Sequence, residues 1–307
     1  MSDRERPHSE RYFTDSRDHW WHADYLGLLA TRLGVARAKT LLEVGTGQGH
    51  FARAWAPHFG SGFSFTGLDR EERSLEVARE RSKAFAKERG LSGSFSFVSG
   101  AAEALPFPEA SFDMVFCQTL LIHLPDPGAG FDEMVRVCKP GGFILAVEPN
   151  NLGGLQHLAV GGPESDPSHQ LREALYLVRC TRGKALLGLG WNNFGIRLPS
   201  LFAKLDDVRY YQNDRAWVMA PPYATAQEVT ALEDLQRSVD EGVYGWEREE
   251  ARRYYTAGGG SEAEFESDYD ALLHAQACEL ATMREGRYVE LAGFAGLIAA
   301  GRKPAAH

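Results

Sequence analysis

No apolar run in this chain is long enough to cross a bilayer, and the opening Met1-Ser2-Asp3-Arg4-Glu5-Arg6-Pro7-His8-Ser9-Glu10 is polar with no hydrophobic stretch behind it. These absences argue against a spanning helix and a secretory leader, and predict a cytoplasmic protein with no membrane partner. Cysteine is scarce: Cys117, Cys138, Cys180 and Cys278 are scattered, with no C-x-x-C and no histidine at ligand spacing. That excludes a disulfide scaffold and predicts four buried thiols and no metal site. Positive charge is in deficit, since 33 Lys and Arg face 42 Asp and Glu for a net charge of −9. Nucleic acid is a poor partner for such a chain, because affinity for phosphate backbones comes from clustered cations. Repeats, low-complexity tracts and linkers are missing too.

What is present is a folded-protein composition, 44% hydrophobic over 307 residues, enough for one large domain or a core with a small cap. The most informative stretch is Leu41-Leu42-Glu43-Val44-Gly45-Thr46-Gly47-Gln48-Gly49-His50, which leads into helical patterning at Phe51-Ala52-Arg53-Ala54-Trp55-Ala56. An apolar run, glycines and then a helix predict a strand and a tight turn at which a small ligand touches backbone. A glycine turn alone is weak evidence, since buried turns use glycine without any ligand. The spacing Gly45-x-Gly47-x-Gly49 departs from the dinucleotide fingerprint, and Glu43 would repel a pyrophosphate but suit a cation. Asp69 closes the next apolar run twenty positions after Gly49. There it suits a ribose diol, because one carboxylate accepts two hydroxyl hydrogen bonds; capping of a helix starting at Glu71 is the alternative.

Strand and helix alternate along the first half: strand 40–45, helix 49–56, strand 63–68, helix 71–89, strands 94–98 and 112–116, helix 128–138 and strand 142–148, preceded by a helix over 20–34. Alternation of this kind predicts an α/β, doubly wound, Rossmann-like parallel sheet with ligands at the carboxyl ends of its strands. A strand is expected over 207–220, mostly helix over 225–290, and a final core strand at 294–302. The expected organisation is an N-terminal helical segment (1–37), a cofactor-binding core (38–150), a helical insertion (151–195), a core helix and strand (196–222), a second insertion (223–290) and a last strand with tail (291–307). The insertions are glycine-broken and are expected to move over the substrate as lids.

Four blocks carry a family resemblance: Glu43 to Gly49; Gly67-Leu68-Asp69; Gly100-Ala101-Ala102-Glu103-Ala104-Leu105-Pro106-Phe107 running into Ser111-Phe112-Asp113-Met114-Val115-Phe116; and Met134-Val135-Arg136-Val137-Cys138-Lys139-Pro140-Gly141-Gly142-Phe143-Ile144-Leu145. In this order they resemble class I S-adenosylmethionine-dependent methyltransferases of the small-molecule, type 11 kind. The resemblance covers about residues 38–150 and implies a mainly parallel seven-stranded sheet and transfer of a methyl group to an O, N or C atom of a small molecule, leaving S-adenosylhomocysteine. It also implies that Glu43, Gly45, Thr46, Gly47, Gly49, Asp69, Arg70, Ala101, Ala102, Glu103, Gln118 and Thr119 hold the cofactor, with Glu43 supporting its cationic methionine end and Gln118 and Thr119 beside the sulfonium. Ala101 departs from the pattern, in which an acid or amide accepts the adenine amino group; backbone groups near Ala102 together with Glu103, or apolar packing, are then expected to take that role. A non-catalytic cofactor-binding module, or an RNA or protein methyltransferase, remains the alternative.

His123, five positions after Gln118, is the candidate catalytic residue, a base whose ordinary pKa lies near working pH. Its plain alternative is a histidine ending a turn before Pro125. The second half is rich in aromatics, among them Tyr176, Trp191, Tyr244, Trp246, Tyr254 and Tyr255, and a surplus of these suits an apolar or aromatic acceptor. Glu148-Pro149-Asn150-Asn151, ending the fifth strand, is expected to add polar contacts to that acceptor. Ala220-Pro221-Pro222-Tyr223 resembles the Asn/Asp-Pro-Pro-Tyr loop of amino-methyltransferases acting on nucleic acids, but with alanine at the polar position it reads as a turn.

Overall fold

The segments Leu41-Leu42-Glu43-Val44 and Met114-Val115-Phe116-Cys117 are apolar on consecutive residues, the pattern of strands buried on both faces. A computed structural model, describing residues 17, 20–151, 158–160, 167–213, 216–293 and 296–305, builds a sheet around them. Its strands are β1 (Thr40–Val44), β2 (Ser64–Asp69), β3 (Ser94–Ser99), β4 (Phe112–Gln118), β5 (Cys138–Pro149), β7 (Asp206–Gln212) and β10 (Gly296–Arg302). Their order is β3-β2-β1-β4-β5-β10-β7. The first five are mutually parallel, whereas β10 runs antiparallel to both β5 and β7. The expected seven-stranded, mainly parallel, doubly wound sheet is therefore present, with one reversed strand. Helices α1 (Ala23–Leu33), α2 (His50–Trp55), α3 (Glu72–Arg89), α4 (Pro127–Val137) and α6 (Leu198–Phe202) belong to the same part of the chain. Asp126 starts α4 by accepting the Ala129 N–H at 3.0 Å, with Pro127 in the first turn.

The chain divides into two units. The sheet unit comprises Trp21–Leu155, Lys184–Arg215 and Phe294–His307. The other comprises Met1–Trp20, Gln156–Gly183 and Ala216–Gly293. The continuous strand expected over 207–220 is two strands. β7 is in the large sheet, and β8 (Ala216–Met219) joins β6 (Leu158–Val160) and β9 (Val289–Gly293) in a separate antiparallel sheet ordered β6-β9-β8. The polar run Asn213-Asp214-Arg215 is a turn signal that the apolar residues on either side outweighed. Residues 184–195 group with the large sheet: Gly190 abuts the Ile122 carbonyl, and Gly195 abuts that of Glu148.

In the second unit, α5 (Pro167–Leu186), α8 (Arg248–Ala257) and α9 (Glu262–Arg284) surround an aromatic interior, and α7 (Ala226–Glu241) packs along α9. Thr225 with Glu228, and Ser261 with Glu264, form capping boxes that start α7 and α9. A Cβ on Gly258 would lie 1.9 Å from the Arg179 carbonyl oxygen, and one on Gly183 1.7 Å from that of Tyr254. Glycine at both positions is what lets α5 and the end of α8 meet backbone to backbone. Tyr176, Trp246, Tyr254, Tyr255, Phe265 and Tyr269 are buried against one another. These aromatics are this unit's core, so Tyr176, Trp246, Tyr254 and Tyr255 of the aromatics read from the sequence are occupied in packing. Ala220-Pro221-Pro222-Tyr223 is a turn, its Ala220 N–H held by Glu228 at 3.1 Å and its Tyr223 N–H by the Ala220 carbonyl at 2.9 Å.

Candidate active site

The carboxyl ends of β1, β2, β3, β4 and β5 carry the residues singled out by the sequence. At the end of β1, Gly45, Gly47 and Gly49 have φ of 73°, 51° and 74°, all left-handed. A side chain at Gly45 would in addition meet Leu120 Cδ1 at 2.7 Å. The Gly45 and Thr46 N–H groups both donate to the Leu68 carbonyl, at 2.7 and 2.9 Å, and bind the turn to β2. The Gly47 N–H donates to Asp69 Oδ2 at 2.8 Å, and the Glu71 N–H to Asp69 Oδ1 at 3.0 Å. Asp69 therefore ties the turn to the start of α3, though the N-cap position itself is Glu71. Each carboxylate oxygen keeps a second lone pair for a hydroxyl.

Glu43 is buried beneath the turn and accepts the Thr46 hydroxyl at 2.6 Å. Burial pushes its pKa up to about 8, against the pull of Thr46 and of the Arg53 charge. Arg53 is held by the Gln48 carbonyl at 2.7 Å and stands 3.2 Å from His50 Nδ1. On the β2 and β3 side, Arg70 is exposed and lies 3.5 Å from Glu71. Ala101 is exposed in a single bridge to Ala104, the Ala102 side chain is buried in the apolar core, and Glu103 is half-buried.

Beyond β4 the backbone is unusual. Gln118 Oε1 accepts the Trp21 indole N–H at 3.0 Å, and Trp21 stacks on Phe51 with ring centroids 5.4 Å apart. Thr119, a β-branched residue, sits at φ 54°. Its N–H donates to the Val147 carbonyl at 2.8 Å, while its buried hydroxyl meets no hydrogen-bond partner among the described residues. Leu121–His123 then forms one 3₁₀ turn, with the His123 N–H bonded to the Leu120 carbonyl at 2.9 Å and the ring half-buried.

Glu148, expected to touch the acceptor, does something else. Its buried carboxylate accepts the N–H groups of Leu120 at 3.0 Å, Leu121 at 2.8 Å and Ile122 at 3.4 Å, with the Cys117 thiol at 3.8 Å. Burial pushes its pKa up to about 7 in spite of these donors. An acid buried at a strand end must be supplied with donors, and here the peptide groups of the β4–α4 turn supply them. The one available signal was an acid closing the apolar run Phe143–Val147. Trp21 and Arg53 had no signal of this kind. Cys117, Cys138 and Cys180 are buried free thiols as expected, whereas Cys278 is half-buried. Among the described residues no cluster of His, Cys, Asp or Glu has metal-holding geometry, and no helix is long and apolar enough to cross a membrane.

Residues 42–146 match the family described as Methyltransferase domain. The chain is 36% identical over 134 residues to the ubiquinone biosynthesis O-methyltransferase of Thiobacillus denitrificans, covering 44% of this chain and 54% of that one. It is 31% identical over 149 residues to the sterol 24-C-methyltransferase of Pneumocystis carinii, covering 48% of this chain and 35% of the relative. The chain thus spans about a third to about a half of the length of the curated relatives it matches. The crystal structure of the [4+2]-cyclase SpnF superposes with a TM-score of 0.50 at 20% identity, over 92% of this chain and 81% of that one, which shows the fold alone.

Proposed function

We propose, from the match of residues 42–146 to the methyltransferase domain family, that the protein moves the methyl group of S-adenosylmethionine to a small-molecule acceptor. The observation that carries the reading is the left-handed glycine turn bonded through Gly47 to Asp69, because it sets bare backbone and a diol-binding carboxylate at one strand edge. The residues fit the cofactor. A side chain at Gly45 would collide with Leu120 and displace the left-handed turn, Asp69 keeps a free lone pair on each oxygen, and the Thr119 hydroxyl is buried without a partner among the described residues.

In this reading Gly45, Thr46, Gly47 and Gly49 line the methionine end above Glu43, which a cationic ligand would pull back toward its charged form. Asp69 and Arg70 take the ribose side. The Ala102 backbone and Glu103 serve the adenine in place of an acid at Ala101, and Gln118 with Thr119 lies by the reacting atoms. When bound, the cofactor supplies a methyl group already activated on a sulfonium. The protein's own work is to align the acceptor, exclude water and remove a proton where the acceptor carries one, for which His123 is the assigned base. Two similar proteins are named for sterol and for ubiquinone biosynthesis, so hydrocarbon-rich alcohols and phenols are the first acceptors to try. The test is a transfer screen with methyl-labelled cofactor against hydroxyl, amine and carbon acceptors. Label moving to one class supports the reading; tight S-adenosylhomocysteine binding with no transfer to any acceptor makes the protein a binding module instead.

A further inference from the structure

Four backbone bonds converge just beyond β4. The Thr119 N–H is fixed to Val147, and the next three peptide N–H groups end on the single carboxylate of Glu148. Between these anchors Thr119 is held at φ 54°, where a β-branched side chain is strained. Strain of this kind persists only where the surroundings over-determine it, and here the Val147 carbonyl and the Glu148 carboxylate hold the backbone on either side. The same turn also shapes the ligand edge, since Leu120 packs where a side chain on Gly45 would go. The Thr119 hydroxyl, buried and with no partner among the described residues, is the group that this conformation leaves over.

We propose that Glu148 is a positioning residue: by accepting the N–H groups of Leu120, Leu121 and Ile122 it holds Thr119 in a strained conformation that reserves its hydroxyl for the bound cofactor. The inference rests on the methyltransferase reading for the identity of that ligand, but its mechanical half does not. Glu148 touches no substrate and acts entirely through the turn.

A double-substitution cycle on the full chain tests it, read by thermal melting and by calorimetry with S-adenosylhomocysteine. Thr119→Gly suits left-handed backbone and removes the stranded hydroxyl. It should raise the melting temperature of the ligand-free protein by about 2–4 °C while weakening S-adenosylhomocysteine about 3–10-fold. Glu148→Gln is isosteric but has one acceptor oxygen fewer. It should lower the melting temperature in the native background, and by less than half as much in the Thr119→Gly background, where no strained turn remains to be held. An equal loss in both backgrounds overturns the proposal, because an ordinary cap adds independently of Thr119. Unchanged S-adenosylhomocysteine affinity in Thr119→Gly also overturns it. If Glu148→Gln does not fold, Thr119→Gly decides alone, and a melting temperature that is unchanged or lower sinks the idea. Should the wild type bind no S-adenosylhomocysteine, the methyltransferase reading fails, while the melting cycle still decides whether Glu148 holds the turn.

Discussion

Asp69 accepts one N–H from the glycine turn and one from the start of α3, so its carboxylate is pre-oriented before any ligand arrives. Asp69→Ala should weaken S-adenosylhomocysteine by about 1–3 kcal/mol in calorimetry, the cost of stranding hydroxyls that lose a charged acceptor; unchanged affinity in a folded variant removes Asp69 from the site. His123 stands in a backbone-bonded turn held by Glu148 at the neighbouring residues. With an acceptor in hand, His123→Ala should lower turnover about 10²–10⁴-fold and leave S-adenosylhomocysteine affinity nearly intact. Parallel loss of affinity and melting temperature would make the histidine structural. The two buried acids predict a pH effect. Burial raises Glu43 to about 8 and Glu148 to about 7 from an ordinary 4.5, so the folded chain binds more protons than the unfolded one between those values. Their stabilisation is full below pH 4.5 and is lost as the pH rises through 7 and 8. The melting-temperature advantage of wild type over Glu43→Gln should accordingly shrink between about pH 5 and about pH 9; a difference independent of pH refutes the assignment. Asp113 has the opposite sign. Burial's upward push on it is outweighed by Lys139, Thr40 and the Lys39 N–H, which hold it at about 2, so its contribution is lost only in acid.

Among the elements, α1 does more than cover apolar surface. Leu26, Leu29, Ala30 and Leu33 give it a buried face, and Gly34 ends it in the left-handed conformation. Just before its first turn, Trp21 stacks on Phe51 of α2 and donates to Gln118 at the end of β4, while Tyr25 donates to the Gln212 carbonyl of β7 at 2.5 Å. Three separate parts of the sheet unit are joined through this helix. Trp21→Ala removes one aromatic pair and one hydrogen bond and frees the Gln118 side chain, and should cost about 1–3 kcal/mol in chemical denaturation. A loss well under 0.5 kcal/mol would mean that the helix is held by its leucines alone, since either contact by itself is worth at least roughly that much.

At the scale of the molecule, the two units have separate interiors. The sheet unit keeps apolar clusters built around Leu42, Val115 and Phe131 and around Leu41, Phe65 and Trp55. The other unit relies on its tyrosines and on a small cluster of Met219, Met283 and Tyr288. Separate interiors open with separate free energies. Hydrogen exchange followed by mass spectrometry should resolve α5, α7, α8 and α9 as one class, distinct from and less protected than β1, β4 and β5. A single class across the chain would show that the two units unfold as one.

What the amino-acid sequence determined is what local chemistry controls. Consecutive apolar residues at 41–44 and 114–117 dictate buried strands, the glycines at 45, 47 and 49 permit a left-handed turn, and an acid at position 69 closes the second strand. These properties belong to residues adjacent in the chain, so periodicity and turn chemistry expose them. The tertiary structure decided the rest. Trp21 reaches Gln118 across 97 positions and Glu148 reaches Leu120 across 28, distances over which neither propensity nor spacing carries information. The same limit explains the aromatics, whose role depends on whether partners surround them, and the split between β7 and β8, which pair with different strands in different sheets. Composition counts the groups that must be buried or paired; which group meets which is settled only when the chain closes on itself.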